Sequence, residues 1–191
     1  MDATNLAELY DLPLLDWAPI QARLSAGVTQ APGTGGPNRH TCWLTTINPD
    51  GSPHVTGIGG LYADGAFWFQ SGTQTRKARN LARDSRCALS VATDEFDLVV
   101  EGEARQVTDA PTVAAMAARW AAEGWPARLD ESGRAITAEY NAPSAGPPPG
   151  IVYRVIPRAA TALQTVVPGR CHPVAVLTGS AGISWRRAPC G

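Results

Sequence analysis

The chain of 191 residues has almost no lysine and almost no net charge. Fifteen of its sixteen basic residues are arginine, Lys77 is the single lysine, and seventeen acidic residues leave a formal net charge of -1. A protein that binds nucleic acid or an anionic membrane through its overall charge needs an excess of positive field. The composition therefore excludes a general nucleic-acid or membrane binder.

Long apolar runs are also missing. No run approaches the ~18–20 residues that cross a bilayer, and the opening residues, MDATNLAELYDLP, are acidic and have no signal-peptide pattern. A hydrophobic content of 44% is enough for a sizeable core, and the length is typical of one domain. We therefore expect a soluble cytoplasmic protein.

Clustered metal ligands are absent from the sequence as well. The four cysteines, Cys42, Cys87, Cys171 and Cys190, have no CxxC spacing, and the three histidines at 40, 54 and 172 are scattered. A zinc site needs clustered ligands, so no metal site is predicted. Cys42 and Cys87 fall in strand-like runs and are expected to be buried thiols.

What the sequence does contain is a series of short strands joined by tight turns. We predict an N-terminal extension over 1–40 with a short helix at 5–10, a core domain over 41–169, and an irregular tail over 170–191. Alternating and β-branched runs predict strands at 41–47, 53–60, 66–71, 86–93, 97–108, 151–157 and 160–167. Helices are predicted at 73–85 and 110–123, the second capped by Asp109 and stopped by Gly124. This order favours a mainly β, antiparallel barrel over a βαβ sheet.

The segment from Gln70 to Asn80 carries the chemistry. A strand ends in small hydroxyl residues, and a helix begins beside Thr75, Arg76 and Lys77, where free N–H groups attract anions. Arginine offers a planar fork and lysine a mobile point charge, a combination that suits phosphate. The alternative is a solvated helix face whose basic residues pair with the acidic run Asp94, Glu95, Asp97, Glu101 and Glu103.

The order of three motifs resembles a known family. TCWLTTINPDGSPHVTGIGGLYADGAFWFQSG, TRKARNLARDSRC and DLVVEGEARQVTD are similar to the split-barrel flavin-binding family typified by pyridoxamine 5′-phosphate oxidase, and more closely to its actinobacterial flavin/deazaflavin oxidoreductases. The resemblance covers roughly 41–165. It implies a six-stranded antiparallel split β-barrel that forms a homodimer, with one flavin at each end of the interface.

The resemblance also implies a cofactor site. A first group would hold the cofactor phosphate: Gln70, Ser71, Thr75, Arg76 and Lys77. A second group would line the isoalloxazine ring: His54, Val55, Thr56 and Gly57. Asn80 and Arg79 would lie at the rim.

The same resemblance separates this chain from the phosphate-oxidising member of the family. That member holds its substrate with basic residues on the second strand and near its C-terminus, whereas PHVTGIGG has only His54. Pyridoxamine 5′-phosphate is therefore not the expected substrate. No acid–base pair stands out, and hydride transfer from a flavin needs mainly positioning, so no catalytic side chain is assigned.

Either FMN or coenzyme F420 fits a phosphate site. F420 adds a polyglutamate tail, which Arg79 and Arg83 would accommodate, and the arginine-over-lysine bias is typical of GC-rich genomes, where F420 is common. These features favour F420, with FMN left open. The leading hypothesis is an F420- or FMN-dependent oxidoreductase acting on a small conjugated or heterocyclic compound. The alternatives are a non-catalytic flavin carrier and a purely structural dimeric barrel.

The tail from about Arg170, RCHPVAVLTGSAGISWRRAPCG, has no pattern. Members of the resembling family often end in Ala-Thr-Arg-Trp-Arg-Phe. One choice of codons for 171–177, read one base out of frame, encodes that hexapeptide followed by a stop. The hypothesis is that 170–191 is a frameshifted tail in place of the usual strand end, in which Cys171, His172 and Cys190 carry no evolved function.

Overall fold

The strands of this protein join into a single antiparallel sheet that curves around one main core. The computed structural model describes residues 3–4, 15–28, 41–93, 95–141, 143–164 and 174–178. The strands are β1 Ala3–Thr4, β2 Thr41–Ile47, β3 Pro53–Gly59, β4 Leu61–Ala63, β5 Ala66–Gly72, β6 Arg86–Ala92, β7 Phe96–Val107, β8 Arg128–Leu129, β9 Ile136–Thr137, β10 Gly150–Gln164 and β11 Val174–Thr178. The helices are α1 Trp17–Ser25, α2 Arg76–Arg83 and α3 Ala110–Ala122.

Six of these strands have seven or more residues, and they lie in the order β3-β2-β6-β7-β10-β5. All pairings among them are antiparallel. The two end strands, β3 and β5, are not hydrogen-bonded to each other, so the barrel is open on that side. The prediction of a mainly β antiparallel fold is confirmed, whereas the count of six strands is not, because five short strands extend the sheet to eleven.

Strand β10 replaces the two separate strands predicted at 151–157 and 160–167. It runs without interruption from Gly150 to Gln164, and its register against β7 shifts between Pro157 and Ala159. A bulge accommodates proline, which cannot donate to the ladder. Opposite the bulge lies Gly102, where a Cβ would stand 2.1 Å from the Ile156 carbonyl oxygen. Two backbones therefore approach each other closely at Gly102.

Helix α1 was not predicted, because the sequence analysis treated 1–40 as an extension. It begins after Asp16, whose carboxylate accepts a hydrogen bond from the Ala18 N–H. Its apolar side chains Trp17, Ile20 and Leu24 are buried in the main core. The helix predicted at 5–10 lies outside the described residues.

Two apolar clusters fill the interior. The larger lies inside the sheet, where Phe69 and Tyr153 stack with centroids 4.9 Å apart. Cys42 and Cys87 are buried in it, as predicted, and burial raises the pKa of each thiol to about 12. The smaller cluster packs α3 on the outer face of β5 and β10. The N-cap Asp109 of α3 and the stop at Gly124 (φ +96°) agree with the predicted bounds.

The C-terminal region contains one described strand. β11 pairs with β10, and β1 pairs with β11. It lies within the 170–191 tail that was expected to be irregular, and the rest of that tail is outside the described residues. The frameshift hypothesis stays a prediction.

Candidate functional site

Helix α2 begins where β5 ends, at the open side of the barrel. Thr75 is its N-cap, and the Thr75 hydroxyl accepts from the Ala78 N–H at 3.2 Å and donates to the Gly72 carbonyl at 3.0 Å. The buried Ser71 hydroxyl lies 2.7 Å from the Thr75 hydroxyl. Both predicted hydroxyl residues are therefore at the helix N-terminus, where they brace the turn between strand and helix.

Lys77 points inward from the first turn of α2. Only 2% of its surface is exposed, and its ammonium donates to the Ser144 backbone carbonyl. No carboxylate of the described part of the chain forms an ion pair with it. Burial lowers the pKa of Lys77 from 10.5 to about 8. The one lysine of the protein is thus a buried cation whose charge is not neutralised by any acid among the described residues.

Three arginines occupy the opposite, exposed face of α2. Arg76, Arg79 and Arg83 lie along one stripe of the helix and face the turn between β2 and β3 across an open cleft of about 580 Å³. The lining of this cleft is completed by Asn48, Pro49, Asp50 and Asn80. Within the described residues the three arginines form no ion pair. The cleft therefore has an excess of positive charge.

Two members of the acidic run that could have neutralised this helix, Glu95 and Glu103, pair with arginines outside α2. Glu95 binds Arg23 at 2.9 Å, and Glu103 binds Arg105 and Arg158. Asp94 lies outside the described residues. For the residues that the structure describes, the alternative of a helix face paired with this acidic run is not what is observed.

Asn80 does not project at a rim as the resemblance implied. It is 3% exposed, and its amide nitrogen donates to the Thr46 hydroxyl and to the Asn48 side-chain oxygen, both at 3.1 Å. Its role in the structure is to join α2 to the turn after β2. Arg79 is exposed and lines the cleft.

The four residues predicted to line the ring do not share one face, because side chains alternate along a strand. His54 is opposite Thr46, and Thr56 is opposite Leu44; both partners are fully buried inside the barrel. Val55 and Gly57 lie on the outer face of the sheet. The structure thus brings His54 and Thr56 to the inner side and separates the other two from them.

His54 is the titratable side chain of this strand beside the cations of α2. Its pKa is lowered from 6.5, first by burial and then by the positive charges of Arg76 and Lys77. The imidazole is therefore neutral at pH 7, with one nitrogen available to accept a hydrogen bond. This places a neutral hydrogen-bonding group next to an electropositive pocket.

Gln70 and Ser71 also alternate, since Ser71 points into the barrel and Gln70 points out. The Gln70 amide nitrogen donates to the Asn141 side-chain oxygen at 2.9 Å, while its own amide oxygen is buried without a hydrogen-bond partner. Gln70 therefore contacts the connection between β9 and β10. No candidate site residue was predicted in that connection.

The outer face of the sheet on the side of β3 is partly apolar and exposed. Trp43 lies in one row with Ser90 and Val99, and it is flanked on the other side by Gly57. Trp43 is 50% exposed and Val55 56% exposed. Because its paired neighbours Gly57 and Ser90 are small, the Trp43 ring is left half exposed.

Two further findings concern the described residues. They contain no group of three or more His, Cys, Asp or Glu side chains that could hold a metal ion. None of their helices is long and apolar enough to span a bilayer.

Comparisons with known proteins give one family match and several structural ones. A family model described as pyridoxamine 5′-phosphate oxidase matches residues 36–154. A pyridoxamine 5′-phosphate oxidase-related, FMN-binding protein from Nostoc punctiforme is 16% identical with a TM-score of 0.57, covering 91% of this chain and 96% of that one. A conserved hypothetical protein from Mycobacterium tuberculosis is 20% identical (TM-score 0.53; 78% and 84% covered).

PhzG from Burkholderia lata, solved with tetrahydrophenazine-1-carboxylic acid, is 16% identical (TM-score 0.51; 78% and 80% covered). A search of the curated proteins gives no match. At these identities the structural matches show a shared fold.

Proposed function

Because the chain belongs to the pyridoxamine 5′-phosphate oxidase family, we propose that it is a flavin- or deazaflavin-dependent oxidoreductase. It would bind the cofactor phosphate at the N-terminal end of α2 and transfer hydride to or from a small conjugated or heterocyclic substrate. The observation that carries the proposal is Lys77, a cation with 2% exposure and no carboxylate partner in the described chain.

A buried cation is costly unless it is paired. Lys77 lies in the first turn of α2, where the helix dipole and free N–H groups add to its attraction for an anion. Arg76, next to it, supplies a planar guanidinium that suits a phosphate. These features fit a phosphate-bearing cofactor held by Arg76, Lys77 and the first turn of α2.

When bound, a flavin or deazaflavin supplies the two-electron chemistry, and the protein supplies binding and orientation. His54 and Thr56 stand on the inner face of β3, beside the proposed phosphate site, and would contact one edge of the ring. The neutral His54 imidazole can accept or donate one hydrogen bond there without adding charge. No side chain of the chain is assigned as a catalytic acid or base.

The open cleft lined by Arg76, Arg79 and Arg83, which we call the arginine cleft, favours F420 over FMN as the cofactor. Arg79 and Arg83 extend the positive surface beyond Arg76. This surface suits the acidic tail of F420, whereas FMN has no such tail. Two structural relatives bear on cofactor and substrate. The Nostoc punctiforme protein is described as FMN-binding, and PhzG was solved with a reduced phenazine carboxylic acid. A conjugated heterocycle is therefore the substrate class that we propose.

We further propose that the protein is a homodimer that pairs through the outer face of β3, β2, β6 and β7. Trp43, Val55 and Val99 are exposed there, and an apolar sheet face of this kind is typical of a protein contact. The two residues paired with Trp43, Gly57 and Ser90, are small, so two copies can approach closely.

The test is a titration of the purified protein with FMN and with F420, followed by visible absorbance and fluorescence. We expect one of them to bind, and Lys77→Met to weaken that binding. Arg128→Met, on strand β8 and outside the proposed site, should leave it unchanged. Failure of wild-type protein to bind either cofactor would overturn the proposal. Tight binding without turnover of any conjugated substrate would instead support the alternative, a non-catalytic flavin carrier.

A further inference from the structure

A short connection crosses the N-terminal end of α2. We call residues 144–147 the strap; Ser144 and Ala145 end a 3-10 turn, Pro143–Ala145, and Gly146 and Pro147 follow it. The strap passes directly over Gly72, where a Cβ would lie 2.8 Å from the Pro147 carbonyl oxygen and 3.1 Å from that of Ala145. A Cβ on Gly146 would likewise lie 2.8 Å from the Thr75 methyl carbon. The strap is therefore in close contact with the turn that precedes α2.

Polar contacts hold the strap in this position. Lys77 donates its ammonium to the Ser144 carbonyl. Asn141 donates to the Gly146 carbonyl at 3.1 Å and accepts from Gln70 at 2.9 Å. Both carbonyls belong to the strap, and all of the donors lie outside it.

Apolar contacts hold the strap only weakly. Ala145 is its one buried side chain, whereas Ser144 and Pro147 are exposed and Gly146 has no side chain. Segments with few buried apolar contacts open at low cost in free energy. Separation of the strap from α2 would therefore cost few apolar contacts.

An anion cannot reach the Lys77 ammonium while the strap is closed, because the side chain is 2% exposed and its ammonium is bonded to Ser144. We propose that the strap is a built-in competitor for the anion site: the Ser144 carbonyl occupies Lys77 until a phosphate group replaces it, and ligand binding releases the strap. The identity of the ligand rests on the proposed function. The contact between Lys77 and the strap does not.

The first experiment measures hydrogen–deuterium exchange of the amides of 144–146 in the protein without ligand. Lys77→Met removes the ammonium and keeps an unbranched side chain, and we expect exchange of the strap to rise several-fold. Arg79→Met is the matched control, because it removes a positive charge from the same helix without touching the strap. Unchanged exchange in Lys77→Met would overturn the inference.

The second experiment measures affinity for FMN and F420 in Asn141→Ala. This variant loses the hydrogen bond to Gly146, so the open state becomes more populated and the apparent affinity rises. Of the two hydrogen bonds that Asn141→Ala loses, only the one to Gly146 holds the strap, and its loss predicts a gain of about 2- to 10-fold. Ser132→Ala, which removes a hydrogen bond within the 130–135 loop and none to the strap, should leave the affinity unchanged. Weaker or unchanged binding in Asn141→Ala would overturn the inference.

Exchange in the presence of cofactor separates this inference from the proposed function. We expect the strap amides to exchange faster when cofactor is bound to the wild-type protein. Slower exchange would mean that the strap is a wall of the site, and the inference would be wrong while the proposed function stands. Absence of cofactor binding, together with faster exchange in Lys77→Met, would overturn the proposed function and leave the hold of Lys77 on the strap intact.

Discussion

The Asn80 amide nitrogen lies 3.1 Å from the Thr46 hydroxyl, and both side chains are buried beneath the arginine cleft. This hydrogen bond joins helix α2 to the end of β2. The same amide nitrogen reaches Asn48, so one side chain positions both walls of the cleft.

We expect Asn80→Ala to destabilise the protein by about 1–3 kcal/mol, because a buried hydroxyl and a turn amide lose their partner. Urea denaturation measures the change. A double-mutant cycle with Thr46→Val separates the hydrogen bond from the effect of lost volume. Strict additivity of the two substitutions would contradict a direct interaction.

Between pH 8 and pH 10.5 the free energy of unfolding should depend on the protonation of Lys77. Burial lowers the pKa of Lys77 to about 8 in the folded protein, so in this range the unfolded chain holds a proton that the folded chain has lost. The free energy of unfolding therefore rises with pH over that window. Below pH 8 Lys77 is charged in both states, and the full cost of burying its charge is present. The total change is about 3 kcal/mol.

Urea denaturation of wild type and Lys77→Met at several pH values isolates this effect, since all other titrating groups are common to both proteins. The stability of Lys77→Met relative to wild type should be highest at pH 7 and fall as the pH approaches 10.5. Arg79→Met is the control, because arginine stays protonated throughout. A pH-independent difference between wild type and Lys77→Met would show that the lysine is not desolvated.

His54 should titrate below its ordinary pKa of 6.5, because burial and the charges of Arg76 and Lys77 oppose protonation. An NMR titration of the imidazole protons measures this directly. Arg76→Met removes one of the two charges and should raise the pKa of His54 toward its usual value. A pKa of His54 above 6.5 in the wild-type protein would contradict this prediction, because it would require an acidic group beside the imidazole.

The double variant Arg76→Ala/Lys77→Ala should weaken cofactor affinity by about 2–5 kcal/mol, since two charge-assisted contacts to one phosphate are lost. Isothermal titration calorimetry with the cofactor identified in the first titration gives the value. For the wild-type protein, affinity should fall as pH rises above about 8, where Lys77 loses its proton. Unchanged affinity in the double variant would show that the phosphate lies elsewhere.

The proposed dimer predicts that Trp43→Arg yields a monomer. A charge would then stand in the row that Trp43 shares with Ser90 and Val99, at the centre of the apolar face. Light scattering coupled to size-exclusion chromatography reports the mass. Leu129 is also an exposed apolar residue, but it lies on β8. Leu129→Arg is therefore the control and should keep the wild-type mass. An unaltered mass for Trp43→Arg would exclude this face as the contact.

Local pattern was enough to predict most of the sheet and both ends of α3. In strands such as β2 and β6, buried and exposed side chains alternate, and turn residues bound the strand. Their positions can therefore be predicted from the local sequence alone. Helix α1 was missed because its nine residues stand between loop-like segments, and its stability comes from packing Trp17 and Leu24 into the core. Such tertiary stabilisation leaves only a weak trace in the local pattern.

The candidate site shows the same division. The cations of α2 were identified from residues adjacent in sequence, and the structure keeps Thr75, Arg76 and Lys77 in one turn. The resemblance assigned His54 to Gly57 to the ring as a continuous block, whereas strand alternation divides them between two faces. The contact between Lys77 and Ser144 joins residues 67 positions apart, a distance at which no local pattern could have indicated it.

Strand β10 pairs with β5 and β7 and, at its two ends, with β9 and β11. It is also the last of the long strands to be made on the ribosome. Until it emerges, one long edge of β5 and one of β7 are open, and open edges recruit other chains. Folding of the barrel must therefore wait for non-local pairing late in synthesis, which is slow. A nascent chain stalled before Gly150 would be the form of this protein most in need of a chaperone.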